Sequence, residues 1–400
     1  MPWSAGADRD RKRMIEGYLS GKTREQLATE FGLSLRCVAK WIARFKKEGW
    51  DGLNERSRRP LSSPNRTPVA LVKKLIRLKR KHPKYGPMTL IEMFGGAERP
   101  MAGSTAGDIL KRHGMVRPHK NRRRVYPSAP GPIVIPSAGH TMTADYKGQF
   151  PLGNGKPCYA LTLMEPVSRY LLACDAFSST ATRPTRAAFE RVFRDVGIPN
   201  QIITDNGVPF CAAGSIGGLT VLSVWWLKLQ ITHTRIQPGK PQQNGRHERF
   251  HRTLKEFTTE PRERTMVAQQ RRFDKFAWEY NQIRPHRALN GKRPGNIFQP
   301  YSRSYPLREP TIEYPENTEL RHVRSNGEIQ WKGGRVYMGT ALINEFVALK
   351  QQNEQEWGIY FGTLLLGTWD QRTKRLAPLG KGRNARSSTV IKPLPRRPTG

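Results

Sequence analysis

The stretch Gln201-Ile-Ile-Thr-Asp-Asn-Gly207 has the pattern of a short strand followed by the turn that ends it. Its apolar and β-branched residues are typical of a strand, and the Asn-Gly pair predicts a tight turn. A helical pattern precedes it from Thr185 to Val196, and three earlier runs have strand character: Thr141 to Tyr146, Cys158 to Met164 and Arg169 to Ala176. Three strands, a helix and a strand predict a mixed α/β sheet.

Around this α/β core the composition changes several times, which predicts a multidomain chain of 400 residues. Pro, Ser and charged residues dominate two short stretches and the C-terminal tail, so these are expected to be extended or disordered. Alternating segments with Gly turns near the C-terminus are typical of a small β-barrel. The expected order is a first helix-turn-helix domain at 1–55, a basic linker at 56–68, a second helix-turn-helix domain at 69–116, a basic linker at 117–136, the α/β core at 137–300, the β-barrel at 311–376 and a basic disordered tail at 377–400.

The N-terminal residues have the start signals of a helix-turn-helix pair. Thr23 and Gln26 form a capping box, and Ser34 follows a turn at Gly32. The helix that begins after Ser34 is expected to bury one face and to present its opposite, basic face to DNA. The apolar face carries Val38, Trp41, Ile42 and Phe45, and the basic face carries Arg36, Lys40, Arg44 and Lys47. A helical hairpin with an ordinary solvated basic face is the alternative interpretation.

A second α-helical unit is expected after the first linker. Apolar residues recur at helical spacing from Val69 to Leu78, and a further helix is expected to be capped at Ser104 and to end at Gly114. Two helix-turn-helix units in tandem would contact a longer DNA site than one unit.

The charge balance indicates a polyanionic partner. Lys and Arg number 69 against 32 Asp and Glu, which leaves a formal net charge of +37. This excess is far beyond what solubility requires, so nucleic acid is the expected partner, with a ribosomal or coat-like protein as the alternative. The four cysteines have no zinc-binding spacing and fit a reducing cytosol. Gly and Pro interrupt the longest uncharged stretch, Asn206 to Leu227, so no membrane span is expected.

Three acidic residues stand out because acidic residues are scarce in this chain. Asp145 lies near the end of an expected strand, Asp205 ends the strand of the opening stretch, and Glu248 follows a Pro- and Gly-rich loop at the start of a helix. Carboxylates at neighbouring strand ends converge on one crevice, and Mg²⁺ or Mn²⁺ prefers oxygen ligands of this kind. Taken singly, Asp205 before Asn-Gly is also explained as a turn former, and Glu248 as the i,i+4 salt-bridge partner of Arg252.

The helix that carries Glu248 is expected to have two different faces. One face carries Glu248, Arg252 and Lys255, and the opposite, apolar face carries Phe250, Leu254 and Phe257. The first face can bind metal and phosphate, while the apolar face packs on the sheet and fixes the angle of the helix.

These residues and their neighbours resemble the bacterial insertion-sequence transposases that have a retroviral-integrase-like catalytic core. The matching motifs of the core are Asp145-Tyr, Thr204-Asp-Asn-Gly207, Pro238 to Glu248 with Lys255, and Tyr280-Asn-Gln-Ile-Arg-Pro-His-Arg-Ala-Leu289 followed by Pro294. The early part resembles the family's paired helix-turn-helix region through Trp50-Asp-Gly-Leu, Arg56-Ser-Arg-Arg-Pro and Ile109-Leu-Lys-Arg-His-Gly114. The chain departs from the pattern in two ways. It lacks the paired His and Cys zinc module of retroviral integrases, and a Gly-rich, Trp-containing segment lies between Asp205 and Glu248.

The resemblance implies a ribonuclease-H-like integrase core over 137–300 and DDE polynucleotidyl transferase activity, with Asp145, Asp205 and Glu248 as catalytic and metal-binding residues. Two Mg²⁺ or Mn²⁺ ions would serve 3′-end cleavage and strand transfer. The expected partners are double-stranded DNA, from element ends and target, and further copies of the chain in a dimer or tetramer, in the bacterial cytoplasm with the nucleoid. The expected DNA-contacting residues are Arg36, Lys40, Arg44, Lys47, Arg56, Arg58, Arg59, Arg122, Arg123, Arg124, Lys240, Arg246, Arg252 and Lys255.

The sequence leaves two other functions open. A recombinase with a covalent intermediate needs a nucleophile among clustered arginines, which Tyr280 with Arg284, His286 and Arg287 superficially allows. A DNA-binding regulator would have the same domains with an inactive core.

Overall fold

The structure of the chain is a computed structural model that describes residues 7–56, 66–95, 99–116, 133, 135–212, 214–237, 243, 245–316, 318–378 and 390–391. The chain divides between Thr67 and Pro68 into two compact units. Most of the two expected linkers lies outside the described residues. No helix in the described ranges is long and apolar enough to cross a membrane. All four cysteines are free thiols.

The first unit is a bundle of three helices with the predicted helix-turn-helix. The helices are α1 (Ala7–Leu19), α2 (Arg24–Glu30) and α3 (Leu35–Glu48), and a 3-10 turn follows at Gly49–Leu53. The capping box of Thr23 with Gln26 is present, and the Ser34 side chain accepts a hydrogen bond from the Cys37 N–H at 3.3 Å. The apolar face of α3 is buried as expected, in a core with Met14, Ile15, Leu27, Val38, Trp41, Ile42 and Leu53.

The second unit begins with three more helices, α4 (Val69–Lys81), α5 (Pro87–Glu92) and α6 (Gly103–Arg112). The prediction that Ser104 caps α6 is wrong, because the helix already begins at Gly103 and Ala102 occupies the cap position without a side-chain bond. Gly103 packs directly against Met88, and a Cβ there would lie 2.1 Å from the Met88 sulfur. The connection at 93–102 is longer than the three or four residues usual in a helix-turn-helix, so a second motif of that kind stays a prediction.

The centre of the second unit is the predicted mixed α/β sheet. Its strands run in the order β5-β4-β1-β2-β3, where β1 is antiparallel to β2 and parallel to β4. The elements are β1 (Thr141–Pro151), β2 (Pro157–Glu165), β3 (Tyr170–Phe177), α7 (Thr182–Val196), β4 (Gln201–Thr204), α8 (Val221–Lys228), β5 (Thr232–Arg235), α9 (Gly245–Thr258), α10 (Met266–Trp278) and a π-helical turn at Glu279–Ile283.

The two faces of this sheet have different cores. Met142 and Ala144 of β1 pack with α7 and α8 in one core. Cys158 and Ala160 of β2 pack with α9 and α10 in the other core. Since successive residues of a strand point to opposite faces, Thr143 and Asp145 lie on the face covered by α9.

The C-terminal part forms the expected small antiparallel β domain. Its strands are β6 (Glu319–His322), β7 (Glu328–Trp331), β8 (Gly334–Tyr337), β9 (Phe346–Gln351), β10 (Glu356–Phe361), β11 (Leu364–Asp370) and β12 (Arg375–Pro378). Five of them form a sheet in the order β12-β11-β10-β9-β6, and β7 and β8 form a hairpin. One apolar core with Trp331 and Trp369 joins the two sheets. Among the described residues β6 and β12 do not pair with each other, so closure into a barrel stays a prediction.

The tail predicted to be disordered over 377–400 contributes a short edge strand. β13 (Val390–Ile391) pairs antiparallel with β5 of the central sheet. Strand β12 also extends to Pro378. Residues 379–389 and 392–400 lie outside the described residues.

The Gly-rich, Trp-containing segment between Asp205 and Glu248 connects the α/β core to the β domain. Helix α8 in this segment contributes to both hydrophobic cores. The core of the central sheet receives Leu222, Trp225 and Trp226, and the core of the β domain receives Val224 and Leu227. Lys228 at the end of α8 forms ion pairs with Glu345 at 2.7 Å and with Glu309 at 2.8 Å. The segment is therefore a packed part of the fold.

Candidate functional site

The pairing of β1 with β4 aligns the first two candidate acids. Thr143 pairs with Ile203 in the parallel register, and Asp145 and Asp205 each follow two residues later along neighbouring strands. Because side chains alternate along a strand, both carboxyl groups start from the same face of the sheet as Thr143 and Ile203. The buried Ile202-Ile203 pair explains why β4 lies in the centre of the sheet, and the Asn206-Gly turn ends the strand just beyond Asp205.

Asp205 is held by its own turn. One carboxylate oxygen, Oδ1, accepts a hydrogen bond from the Gly207 N–H at 3.0 Å, and no other hydrogen-bond donor in the described ranges reaches this side chain. Burial raises the pKa of Asp205, and the bond from Gly207 opposes that rise. Asp205 is thus a turn former, and its half-buried carboxylate is held in place by the turn at the end of β4.

Asp145 is supported from β2 and from α9. Its side chain is 14% exposed, and His251 Nδ1 lies 3.9 Å from its Oδ2 atom. The Thr162 hydroxyl donates to the Asp145 carbonyl oxygen at 3.0 Å and lies 2.9 Å from His251 Nε2. Burial lowers the pKa of His251 to about 2, with smaller contributions from His247 and Lys147. The imidazole is therefore neutral at neutral pH, and its contact with Asp145 is not an ion pair.

Glu248 lies in the first turn of α9, and its side chain is exposed. The apolar face predicted for this helix is confirmed, since Phe250 and Leu254 are buried against the sheet and Phe257 is packed beside them. His251, which contacts Asp145, follows Glu248 by three residues on α9. Residues three apart on a helix are neighbours, so Glu248 and His251 lie on the same side of α9. The alternative salt bridge with Arg252 does not form, because no ion pair of Glu248 exists among the described residues.

The three acids do not form a closed cluster in this structure. Within the described ranges, no three His, Cys, Asp or Glu side chains lie close enough together to hold a metal ion. Asp145 and Asp205 are aligned, whereas Glu248 projects from the exposed start of a helix. The residues just before it, 238–242 and 244, lie outside the described part of the chain. Mutual repulsion of three carboxylates opposes their close approach without a cation.

The expected DNA-contacting residues fall into three groups. Arg36, Lys40, Lys47, Arg252 and Lys255 are exposed, as DNA contacts require. Other side chains have protein partners: Arg44 donates to the Asn54 carbonyl at 2.8 Å and stacks on Trp41, Arg56 is paired with Glu48, and Arg246 donates to the Pro166 carbonyl at 3.3 Å. The residues Arg58, Arg59, Arg122, Arg123, Arg124 and Lys240 lie outside the described ranges.

Sequence reasoning missed three residues next to the acids, namely Thr162, His251 and Lys147. Burial lowers the pKa of Lys147, the charge of Lys255 lowers it further, and Asp145 opposes the change. Lys147 follows Asp145 by two residues on β1, so an alternating pattern could have placed it on the same face. The contact of Thr162 with His251 joins residues far apart in the chain, and no local pattern predicts it.

The structure does not support Tyr280 as a nucleophile. Its side chain is 5% exposed and packs between Phe250 and Phe276 in the core between the sheet and α9 and α10. Burial raises the pKa of Tyr280 to about 12. A hydroxyl in this position supports the fold and is not available to a DNA phosphate.

We expect Thr162→Val to lower the free energy of unfolding by about 1–3 kcal/mol, because it leaves buried polar atoms of Asp145 and His251 without their partner. The measurement is urea unfolding followed by tryptophan fluorescence. Thr162→Ser is the matched control and should retain most of the stability, since it keeps the hydroxyl. Equal stability of Thr162→Val and the native protein would contradict this role of the hydroxyl.

Family models match the chain in three places. A model described as an integrase core domain matches residues 136–241, and a second of the same description matches residues 229–294. A model described as a helix-turn-helix domain matches residues 10–60. The two integrase matches span β1 to the turn after α10 and include all three candidate acids, and the third covers the unit with α1, α2 and α3.

The chain is also similar to solved integrase structures. The HTLV-2 integrase catalytic core domain in complex with magnesium, in its trimeric form, aligns with a TM-score of 0.32 at 16% identity, over 40% of this chain and 97% of that one. Its dimeric form aligns with a TM-score of 0.31 at 16% identity, over 40% and 96%. A simian T-cell lymphotropic virus intasome with the PP2A regulatory subunit B56 gamma aligns with a TM-score of 0.36 at 14% identity, over 81% and 100%.

Proposed function

The chain combines an integrase core domain with a helix-turn-helix domain, the combination typical of insertion-sequence transposases, and we propose that it is a DDE transposase. In this proposal the protein binds the ends of a mobile DNA element, cleaves at the 3′ ends and joins them to target DNA. Asp145, Asp205 and Glu248 are the proposed catalytic residues.

The alignment of Asp145 with Asp205 across β1 and β4 carries this proposal. Their oxygens are the hard ligands that Mg²⁺ and Mn²⁺ prefer, so the donor set fits divalent cations. Two such ions would stabilise the attacking and leaving oxygens of a phosphodiester. Glu248 on the neighbouring helix α9 would complete the ligand set, and binding of the cation would offset the repulsion among the three acids.

The proposed reaction has two steps at phosphorus. Water first attacks the phosphodiester at the element end, the bond from phosphorus to the element's 3′ oxygen breaks, and that oxygen leaves as a hydroxyl. The new 3′-hydroxyl then attacks a target phosphodiester and loses its proton to solvent, while the target's own 3′ oxygen leaves and takes up a proton. Throughout, Thr162 and His251 would hold Asp145 in place, and Lys255 would neutralise phosphate charge.

We propose that α3 of the first unit recognises the DNA sequence of the element ends. Its exposed basic residues lie opposite the buried Val38, Trp41 and Ile42, so the helix can enter a groove without disturbing its core. Arg44 is held on the side of this face by its bond to the Asn54 carbonyl and its stacking on Trp41, and it stays a predicted DNA contact.

We predict that Asp145→Asn, Asp205→Asn and Glu248→Gln each slow metal-dependent joining of labelled element ends by about a thousandfold or more, because each removes part of the transition-state charge stabilisation. Binding of the end DNA should persist. Glu256→Gln is the matched control, an exposed acid later in the same helix, and should join at the native rate. Tight binding by the native protein without any joining would instead favour the DNA-binding regulator.

We predict that the double substitution Arg36→Ala with Lys40→Ala weakens binding of end DNA and lowers the slope of log affinity against log salt by about 2, since about one counterion is released for each phosphate contact. Fluorescence anisotropy between about 50 and 200 mM salt measures this slope. The control is the double substitution Lys12→Ala with Arg13→Ala, which removes the same amount of charge from exposed positions of α1. Equal losses in the two doubles would contradict a specific role of α3.

We also propose that a dimer or tetramer acts on paired ends, as the family resemblance implies. Analytical ultracentrifugation of the protein with end DNA should show two or four chains in the complex that joins DNA. A joining-competent complex that contains one chain would contradict this proposal.

A further inference from the structure

A cavity of about 310 Å³ lies on the same face of the central sheet as the two aligned acids. Thr143 of β1 and Ile203 of β4 form part of its wall. Each of these residues precedes its acid by two positions, which is about 7 Å along a strand. The cavity is therefore a direct neighbour of the proposed catalytic site and lies further back along β1 and β4.

Three arginines from two elements line this cavity: Arg169 from the β2–β3 turn, and Arg246 and Arg249 from the first turns of α9. None of them forms an ion pair with a carboxylate in the described part of the chain. Arg246 donates to the Pro166 carbonyl at 3.3 Å, which keeps its guanidinium beside the turn. Burial lowers the pKa of Arg169, and the nearby charges of Arg246 and Arg249 act in the same direction. Three uncompensated cations thus share one cavity.

Hydrogen bonds within the turn between β2 and β3 hold the chain on both sides of Arg169. The buried Glu165 carboxylate accepts hydrogen bonds from the N–H groups of Val167 and Ser168 and from the Ser168 hydroxyl. The Ser168 oxygen in turn accepts a bond from the Tyr170 N–H at 3.2 Å. Both sides of Arg169 are fixed by these bonds.

Arg169 has a left-handed backbone with φ of +60°. Glycine adopts this conformation without the steric cost that a side chain brings. An arginine at this position is strained, and strained residues of this kind concentrate where a side chain is needed for function. The backbone conformation of Arg169 therefore carries a steric cost that a glycine at this position would avoid.

We propose that Arg169, Arg246 and Arg249 form a binding site for one backbone phosphate of the DNA strand that reacts at Asp145 and Asp205. This inference rests on the proposed function and names a further contact of the same site. Guanidinium groups suit phosphate because their N–H donors match its oxygens in pairs. A phosphate held in this cavity, beside the strand ends that carry the acids, would set the position of the neighbouring phosphodiester between them. All three arginines are then positioning residues.

The test is a scan of end DNA in which single phosphates are replaced by neutral methylphosphonates. For the native protein, neutralising one linkage beside the joined end should weaken binding about tenfold, a typical loss for a charged hydrogen bond. Arg169→Gly relieves the backbone strain while removing the guanidinium, so the variant should fold. It should bind unmodified DNA about tenfold more weakly and lose its sensitivity at that one linkage only. Arg169→Lys should restore part of the sensitivity.

Arg183→Ala on α7, which packs on the opposite face of the sheet, is the matched control and should leave the whole scan unchanged. If Arg169→Gly binds like the native protein, or stays sensitive at the same linkage, the phosphate site is overturned. Joining of ends by the native protein is measured separately. Failure of that reaction would overturn the proposed function, while a loss of sensitivity at one linkage would still report the phosphate contact.

Discussion

The parallel pairing of β1 with β4 is the constraint on which the rest of the site depends. It places Asp145 and Asp205, which are 60 residues apart in the chain by their numbers, at equal height on one face of a sheet. The register is fixed by burial, because Met142 and Ile202 must enter the core beneath α7 and α8. A slip of either strand by one residue would turn the acid of that strand into the core. The same pairing places Thr143 and Ile203 at the wall of the arginine-lined cavity.

Helix α9 covers one face of this sheet and carries the third candidate acid, Glu248. Its apolar side is anchored by Phe250 and Leu254, its opposite side carries Glu248, and its first turns supply two of the cavity arginines. His251 on the same helix contacts both Thr162 and Asp145, so α9 is connected to the first of the two aspartates. Helix α8 secures the other face and ties it to the β domain. Helices packed on both faces of the sheet therefore fix the strands that lead to Asp145 and Asp205, whereas Glu248 lies at the exposed start of a helix.

Local patterns in the sequence were sufficient for the elements and for part of the site. The strand at Gln201–Thr204, the capping box at Thr23 and the buried side of α9 all follow from short-range periodicity and hydrogen bonding. The remaining features depend on long-range packing, which short-range patterns in the sequence do not predict. Ser104 is not a cap because Gly103 fits against Met88. Closure of the β domain depends on its two edge strands, β6 and β12, which do not pair in the described ranges. The cluster of arginines depends on a turn and a helix whose residues are far apart in the chain.

The most direct test of the central claim is binding of Mn²⁺ to the full chain without DNA, followed by electron paramagnetic resonance. If Asp145 and Asp205 jointly hold the cation, the native protein binds Mn²⁺, and replacing either aspartate by asparagine removes the bound signal. Glu248→Gln should weaken binding less, because Glu248 lies at the exposed start of a separate helix and not on the paired strands. An unchanged Mn²⁺ affinity after substitution of Asp145 or Asp205 would contradict the account.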